Sequence, residues 1–298
     1  MKKYLKLKRF TVNNIPPQVG KNILITGANS GLGFEAAKVL AMKGANVTIA
    51  CRDEQKGKEA LNLLSNFGEV HLKILDLASL KSINEFHNQL EENKPIDVLI
   101  NNAGVMSIKE RTFTEDGLET QMGVNHLGHF ALTHSLLPFL EKSENPRVVT
   151  VSSIAAYKTK LDLENLNSEK YYMPFGTYKQ SKLANIFFAN ELGWRYPWLT
   201  SLIAHPGVSH TEIGRNMETA MQHIFSAAQN IIGHSTQKGA LPILYAAIKS
   251  NLQSGSYFGP EAYSRGAVAR VPQPKEARDY EKAEKFWEIS KKLVRLEN

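Results

Sequence analysis

Seven short apolar runs, alternating with helical stretches, constrain this chain more than any other feature. They are Ile23-Leu24-Ile25, Val47-Thr48-Ile49-Ala50, Val70 to Leu75, Asp97-Val98-Leu99-Ile100, Arg147 to Val151, Thr200 to Ala204 and Tyr257-Phe258. Unbroken apolar runs of this length read as strands buried on both faces, which is the signature of a parallel sheet. Helical patterns fall between and after them, at Leu32 to Lys43, Glu54 to Ser65, Leu80 to Leu90, Phe113 to Leu140, Tyr178 to Arg195, Gln237 to Lys249 and Lys275 to Val294. Strand–helix alternation predicts one α/β domain, a doubly wound sheet of about seven strands with helices on both faces. No internal repeat and no linker rich in Gly, Pro or Ser divides it.

The net charge of +7 bears on partners only through its location. Lys2, Lys3, Lys6, Lys8 and Arg9 lie in the first ten residues, and the remaining 31 basic residues face 29 acidic ones. This is a basic arm, residues 1–19, on a nearly neutral domain, residues 20–298, and not a nucleic-acid-binding face. Leu5 and Leu7 alternate with Lys6 and Lys8, so residues 1–10 suit either peripheral contact with an anionic membrane or a solvated arm. No run approaches the length of a membrane-spanning helix, and no apolar core marks residues 1–10 as a secretory signal. The single cysteine, Cys51, fits a reducing compartment, so a soluble cytoplasmic chain is expected.

The first strand runs into Thr26-Gly27-Ala28-Asn29-Ser30-Gly31-Leu32-Gly33, a glycine-rich turn that opens a helix. In that context the glycines have distinct uses: Gly27 for the tight turn, Gly31 for backbone approach to a pyrophosphate, Gly33 for close packing. The phosphates would lie on the positive end of the helix dipole, as in a Rossmann domain. The second strand ends Ala50-Cys51-Arg52-Asp53. A count of twenty residues from Gly33 to Asp53 points to NAD, but strand position puts Arg52 first at the crevice. A guanidinium there can fork onto a 2′-phosphate, with Lys56 in support, so NADP(H) is expected over NAD(H). Asp76, after the third strand with Leu77, is either an acceptor for the adenine amino group or a helix N-terminal residue. Asn101-Asn102-Ala103-Gly104 ends the fourth strand, where small residues let the adenosine pack on backbone.

Tyr178 and Lys182 are four apart on a helical pattern and share one face. A phenol beside an ammonium loses its proton more readily, which makes the pair a proton donor for hydride transfer. Ser152-Ser153 ends the fifth strand; successive residues face opposite ways, so only one can serve the site. Together these strings resemble the short-chain dehydrogenase/reductase family over roughly residues 20–294. Asn125-His126-Leu127-Gly128-His129-Phe130, Leu166-Asn167-Ser168-Glu169-Lys170-Tyr171 and Ser181-Lys182-Leu183-Ala184-Asn185 resemble its branch of retinol dehydrogenases and light-dependent protochlorophyllide reductases.

The resemblance implies a catalytic set of Asn125, Ser153, Tyr178 and Lys182. Tyr178 would exchange the proton, Lys182 would depress its pKa and hold the nicotinamide ribose, Ser153 would bind the substrate oxygen, and Asn125 would hold a water. It adds Pro206, Gly207, Val208 and Thr211 to the cofactor contacts already drawn from Thr26, Gly27, Asn29, Ser30, Gly31, Leu32, Gly33, Arg52, Asp76, Leu77, Asn102, Ala103, Gly104, Tyr178 and Lys182. It implies homo-oligomers and a carbonyl or alcohol substrate, reduced in cells. Segments 155–176 and 205–236 follow strands that end at the crevice and are the expected substrate walls. Their Tyr171, Tyr172, Met173, Phe175, Met217, Met221 and Phe225 suit either a lipophilic aldehyde, ketone or alcohol or the packing of these segments onto the core. The rival reading is a catalytically silent NADPH sensor on the same fold, against which stands the complete catalytic set. His126, His129 and His134 lack a carboxylate or cysteine to complete a metal set and are read as packing or substrate-lining residues.

Overall fold

The computed structural model describes residues 5–6, 9–208 and 235–296. Its strands are β1 (Leu5–Lys6), β2 (Asn22–Thr26), β3 (Asn46–Cys51), β4 (Val70–Ile74), β5 (Val98–Asn101), β6 (Arg147–Val151), β7 (Thr200–Ala204), β8 (Tyr257–Pro260) and β9 (Val268–Arg270). They form one sheet in the order β1-β9-β8-β7-β6-β5-β2-β3-β4. From β4 across to β8 every pairing is parallel, which accounts for the seven expected strands. At the far edge β9 pairs antiparallel with β8, and β1 with β9. These two strands have only two and three residues, too few to show a period.

The chain leaves β2 outward to β3 and β4, then returns to lay β5 on the other side of β2. That reversal opens a crevice at the carboxyl ends of β2 and β5, where ligands of such sheets bind. Side chains alternate across the sheet: Ile23 and Ile25 pack into one layer and Leu24 into the other. The first layer holds helices α1 (Gly31–Met42) and α2 (Glu54–Leu64). The second begins with α3 (Leu80–Phe86).

The helical region expected over residues 113–140 begins later. Phe113 instead bridges Glu119 in an antiparallel pair, around Gly117 at φ +78°. Glu119 then caps the run through its carboxylate, which accepts from Gln121 N (2.9 Å) and Met122 N (2.7 Å). The run proceeds as α4 (Thr120–Met122), a π-helical turn (Gly123–Leu127) and α5 (Gly128–Leu140). Helix α6 (Pro174–Arg195) starts four residues earlier than expected, because Pro174 is suited to a first helical position. Helices α7 (Thr236–Ile248) and α8 (Tyr280–Leu293) complete the two layers, α8 lying on α6 with Phe286 and Trp287 buried.

Packing also reaches ahead of residue 20. Phe10 and Ile15 are buried in the α1–α7 layer, and Phe10 meets Tyr245 edge-on at 5.0 Å. The expected boundary between arm and domain thus falls within packed chain. Among the described residues no helix is long and apolar enough to cross a membrane.

Candidate active site

The glycine turn is bound to the end of β5 by a compact set of hydrogen bonds. Buried Thr26 accepts at Oγ1 from Asn102 N (2.9 Å) and Ala103 N (3.0 Å). Asn102 Nδ2 returns a bond to Thr26 O at 2.8 Å. Gly27 has φ +65°, and a Cβ there would lie 2.8 Å from Ala103 Cα, so only glycine fits. A Cβ on Gly33 would lie 2.6 Å from Asn102 Nδ2. Ser30, the N-cap of α1, makes no side-chain capping bond. The first backbone N–H groups of α1 are therefore left to a ligand, which fits an anion at this helix end.

Eleven of the expected cofactor residues line one cleft: Gly27, Asn29, Ser30, Gly31, Leu32, Arg52, Asp76, Leu77, Asn102, Ala103 and Gly104; Thr26 joins them at its floor. Gly33 lies behind the turn. Asp53 is outside the cleft, because its carboxylate caps α2 by accepting from Lys56 N at 3.0 Å. Lys56 Nζ lies 3.7 Å from Asp53 and is not part of the lining either. Asp76 faces the cleft, with Oδ1 accepting from Ala78 N at 2.9 Å; Ser79, not Asp76, caps α3. Sequence reasoning missed Ala50, Cys51, Leu75, Val105, Thr120 and Val124 as lining residues. Thr120 and Val124 stand one helical turn apart, a spacing visible in the sequence, but only the late helix start turns that face to the cleft. Burial pushes the Cys51 thiol up to about 11.

The cleft leads to the proton-handling residues through Gly104, where an added Cβ would stand 3.0 Å from Asn125 Oδ1 and 3.3 Å from Lys182 Nζ. Asn125 lies in the π-helical turn, a local widening that recurs at functional sites. Its side chain binds Val105 through both N and O (2.7 and 2.9 Å) and donates to Ser181 Oγ (2.9 Å). Ser181 Oγ donates in turn to Tyr178 O at 2.8 Å. Both polar atoms of the Asn125 side chain are thereby engaged by protein groups.

Tyr178 and Lys182 are buried together on α6, with Nζ 6.0 Å from the phenol ring centroid. Met106 and Ala155 pack against Tyr178. The expected depression of the phenol is corrected here: burial pushes Tyr178 up to about 12, and the hydrogen bond with Ser153 offsets only part of this. The same burial lowers Lys182 to about 8. Lys182 Nζ donates to Val151 O at 3.3 Å, and burial alone, with no neighbouring carboxylate, acts on its charge. Of the two serines, Ser153 faces Tyr178, while Ser152 Oγ donates to Lys182 O at 2.7 Å.

The wall 155–176 is pinned by residues the sequence did not single out. Buried Gln121 donates to Tyr172 Oη (3.1 Å) and Pro174 O (2.9 Å), and accepts from Ser107 N (2.6 Å). Phe175 stacks on Tyr178 at 6.0 Å, and Tyr171, Met173 and Phe175 are exposed. Pro206, Gly207 and Val208 follow β7, Gly207 N donating to His205 Nδ1 at 3.2 Å. Thr211, Met217, Met221 and Phe225 lie outside the described residues. The three histidines serve separate contacts. His126 stacks on Phe286 (4.7 Å), His134 lies against Phe130 (4.4 Å) and Trp287 (5.2 Å), and His129 bridges Asn125 and Thr26.

A glycine turn at a sheet switch point, joined to a buried Tyr–Lys pair, defines the class. The chain belongs to the short chain dehydrogenases, whose family model matches residues 21–221. Within them it falls in the retinol dehydrogenase-like branch. It is 40% identical to human Retinol dehydrogenase 13 over 297 residues, covering 93% of this chain and 86% of that protein. Mouse Retinol dehydrogenase 14 is 39% identical over 295 residues, with 92% and 86% covered. An uncharacterised protein of Mycobacterium Paratuberculosis has the same fold, with TM-score 0.82 and 38% identity, covering 97% of this chain and 98% of that one. The protein is thus a nicotinamide-dependent oxidoreductase acting between an alcohol and a carbonyl.

Proposed function

We propose that the enzyme uses NADP(H) and reduces lipophilic aldehydes or ketones to alcohols. The observation that carries the cofactor choice is the division of labour after β3: Arg52 faces the cleft, and Asp53 is held away as the cap of α2. A carboxylate capping a helix cannot also hold ribose hydroxyls, whereas an exposed guanidinium is free to fork onto a 2′-phosphate. The first turn of α1 would take the pyrophosphate, Asp76 and Leu77 the adenine end, and Lys182 the nicotinamide ribose. Pro206, Gly207, Val208 and Thr211 would meet the nicotinamide. When bound, the reduced cofactor supplies a hydride to the carbonyl carbon.

The chain's own residues manage the proton. At neutral pH Tyr178 keeps its proton and can donate it to the carbonyl oxygen as the hydride arrives. Ser153 donates a hydrogen bond to the same oxygen as negative charge develops there. The ammonium of Lys182 then offsets the charge left on the phenolate. Exposed Tyr171, Met173 and Phe175 offer an apolar approach, which favours a lipophilic substrate, in keeping with the names of the retinol dehydrogenases it is similar to. Any homo-oligomer would use a face other than the one α8 covers.

Paired titrations with NADPH and NADH, followed by an absorbance screen of lipophilic aldehydes and ketones, test the reading. NADPH binds more tightly in the wild type, and Arg52→Asp removes or reverses that preference, about tenfold or more. An unchanged ratio in Arg52→Asp would exclude the guanidinium as the phosphate clamp. Tight NADPH binding without turnover of any carbonyl would point instead to a sensor.

A further inference from the structure

His129 is only 1% exposed and stands between the cofactor turn and the proton-handling residues. Its Nδ1 lies 3.0 Å from Asn125 O, and its Nε2 lies 2.9 Å from Thr26 Oγ1. A carbonyl oxygen only accepts, so Nδ1 carries the proton. Burial keeps the ring neutral, with its pKa lowered to about 4, so Nε2 is bare and accepts from the Thr26 hydroxyl. With its proton directed at His129, Thr26 Oγ1 has two lone pairs left, and Asn102 N and Ala103 N fill them.

The bonds therefore run in one direction, from the Asn102 and Ala103 amides through Thr26 and His129 to Asn125 O. Thr26 belongs to the cofactor turn. Asn125 pins Val105 and Ser181, and Ser181 is bonded to Tyr178 O. We propose that His129, as the Nδ1–H tautomer, is a positioning residue that sets the cofactor-binding turn in register with the Tyr178–Lys182 pair. This rests on the oxidoreductase reading above and deepens it; His129 itself acts only through Thr26 and Asn125.

Two replacements separate its two ends. His129→Asn places an amide N–H where Nδ1 stood and leaves the Thr26 hydroxyl only the long contact to Ile100 O, at 3.4 Å, as acceptor. His129→Gln places an amide oxygen where Nε2 stood and leaves Asn125 O without its donor. The readouts are NADPH dissociation constants by fluorescence titration, and kcat and KM for a lipophilic aldehyde across pH. His129→Asn weakens NADPH about tenfold, with kcat at saturating cofactor within about threefold of wild type. His129→Gln lowers kcat about tenfold and shifts its alkaline pH limb, with NADPH affinity within about threefold.

If both parameters fall together in both variants, in step with Tm, the role is merely structural and the proposal is overturned. Wild-type values for both parameters in either variant overturn it too. Imidazole ¹⁵N shifts of the wild-type protein give an arm that needs no turnover and no variant. A protonated Nδ1 with a bare Nε2 supports the proposal, and the other tautomer or an imidazolium refutes it. Were the wild type to bind NADPH and reduce no carbonyl, the catalytic reading would fail alone. The NADPH and ¹⁵N measurements would still decide the role of His129.

Discussion

Burial pulls Tyr178 and Lys182 in opposite directions, holding the phenol protonated to about 12 and releasing the ammonium proton near 8. A lowered lysine pKa means that the positive charge is present below about pH 8 and lost as pH rises through it. The phenol is still protonated there, so the missing element is the charge that stabilises the departing proton's phenolate. The rate of carbonyl reduction therefore falls above about pH 8, and a kcat profile measured from pH 6 to 10 checks this. Tyr178→Phe lowers kcat by about 10² to 10⁴ while NADPH still binds; full turnover in that variant would remove Tyr178 as the acid. The pair itself was visible in the sequence, since a spacing of four on a helix needs no tertiary information. The direction of the phenol shift was not, because it depends on Met106 and Ala155 packing against the ring. The task of His129 was hidden for the same reason: Thr26 lies 103 positions away.

At the scale of elements, the strands were legible because parallel strands are buried on both faces and leave continuous apolar runs. The expected start of the long helical region, Phe113, falls before the observed one at Thr120. The Gly117 turn and the Glu119 cap override it. That cap has a measurable weight. Glu119→Ala leaves the amides of Gln121 and Met122 without their acceptor and costs about 1 to 2 kcal/mol. Urea denaturation reads the loss as a lower midpoint with an unchanged slope. Because Gln121 also holds Tyr172 and Pro174, the same variant loosens the wall and raises KM for substrate. Nothing in local sequence reveals the π-helical turn, since it arises from how Asn125 is held by Val105 and Ser181.

For the whole molecule, three neutral histidines lie within the layer formed by α5, α6 and α8. Burial lowers His126 to about 3, and His129 and His134 to about 4, from an ordinary 6.5. Unfolded, they bind protons at pH 5; folded, they do not. Their share of stability is therefore full above about pH 6.5 and is lost as pH falls toward 4. Each histidine removes up to about 1.4 kcal/mol per pH unit in that window. Thermal melts at pH 7, 6, 5 and 4.5 show a steep fall in Tm below 6.5. His134→Phe, which retains the ring contacts with Phe130 and Trp287, makes it less steep. A Tm that is level down to pH 4.5 would mean that the layer tolerates imidazolium.

Cys51 gives this architecture an internal clock. The only thiol of the chain lies in the wall of the cleft beside Arg52, packed so closely under α2 that a Cβ on Gly57 would come within 2.8 Å of its sulfur. With its pKa raised to about 11, it is almost wholly protonated at pH 7.5 and reacts slowly with an alkylating reagent. A maleimide therefore reports how readily the thiol is reached through the cleft. Modification is slow in the folded protein, slower when cofactor fills the cleft, and fast once urea opens the chain, so one mass shift per molecule measures the breathing of the nucleotide site.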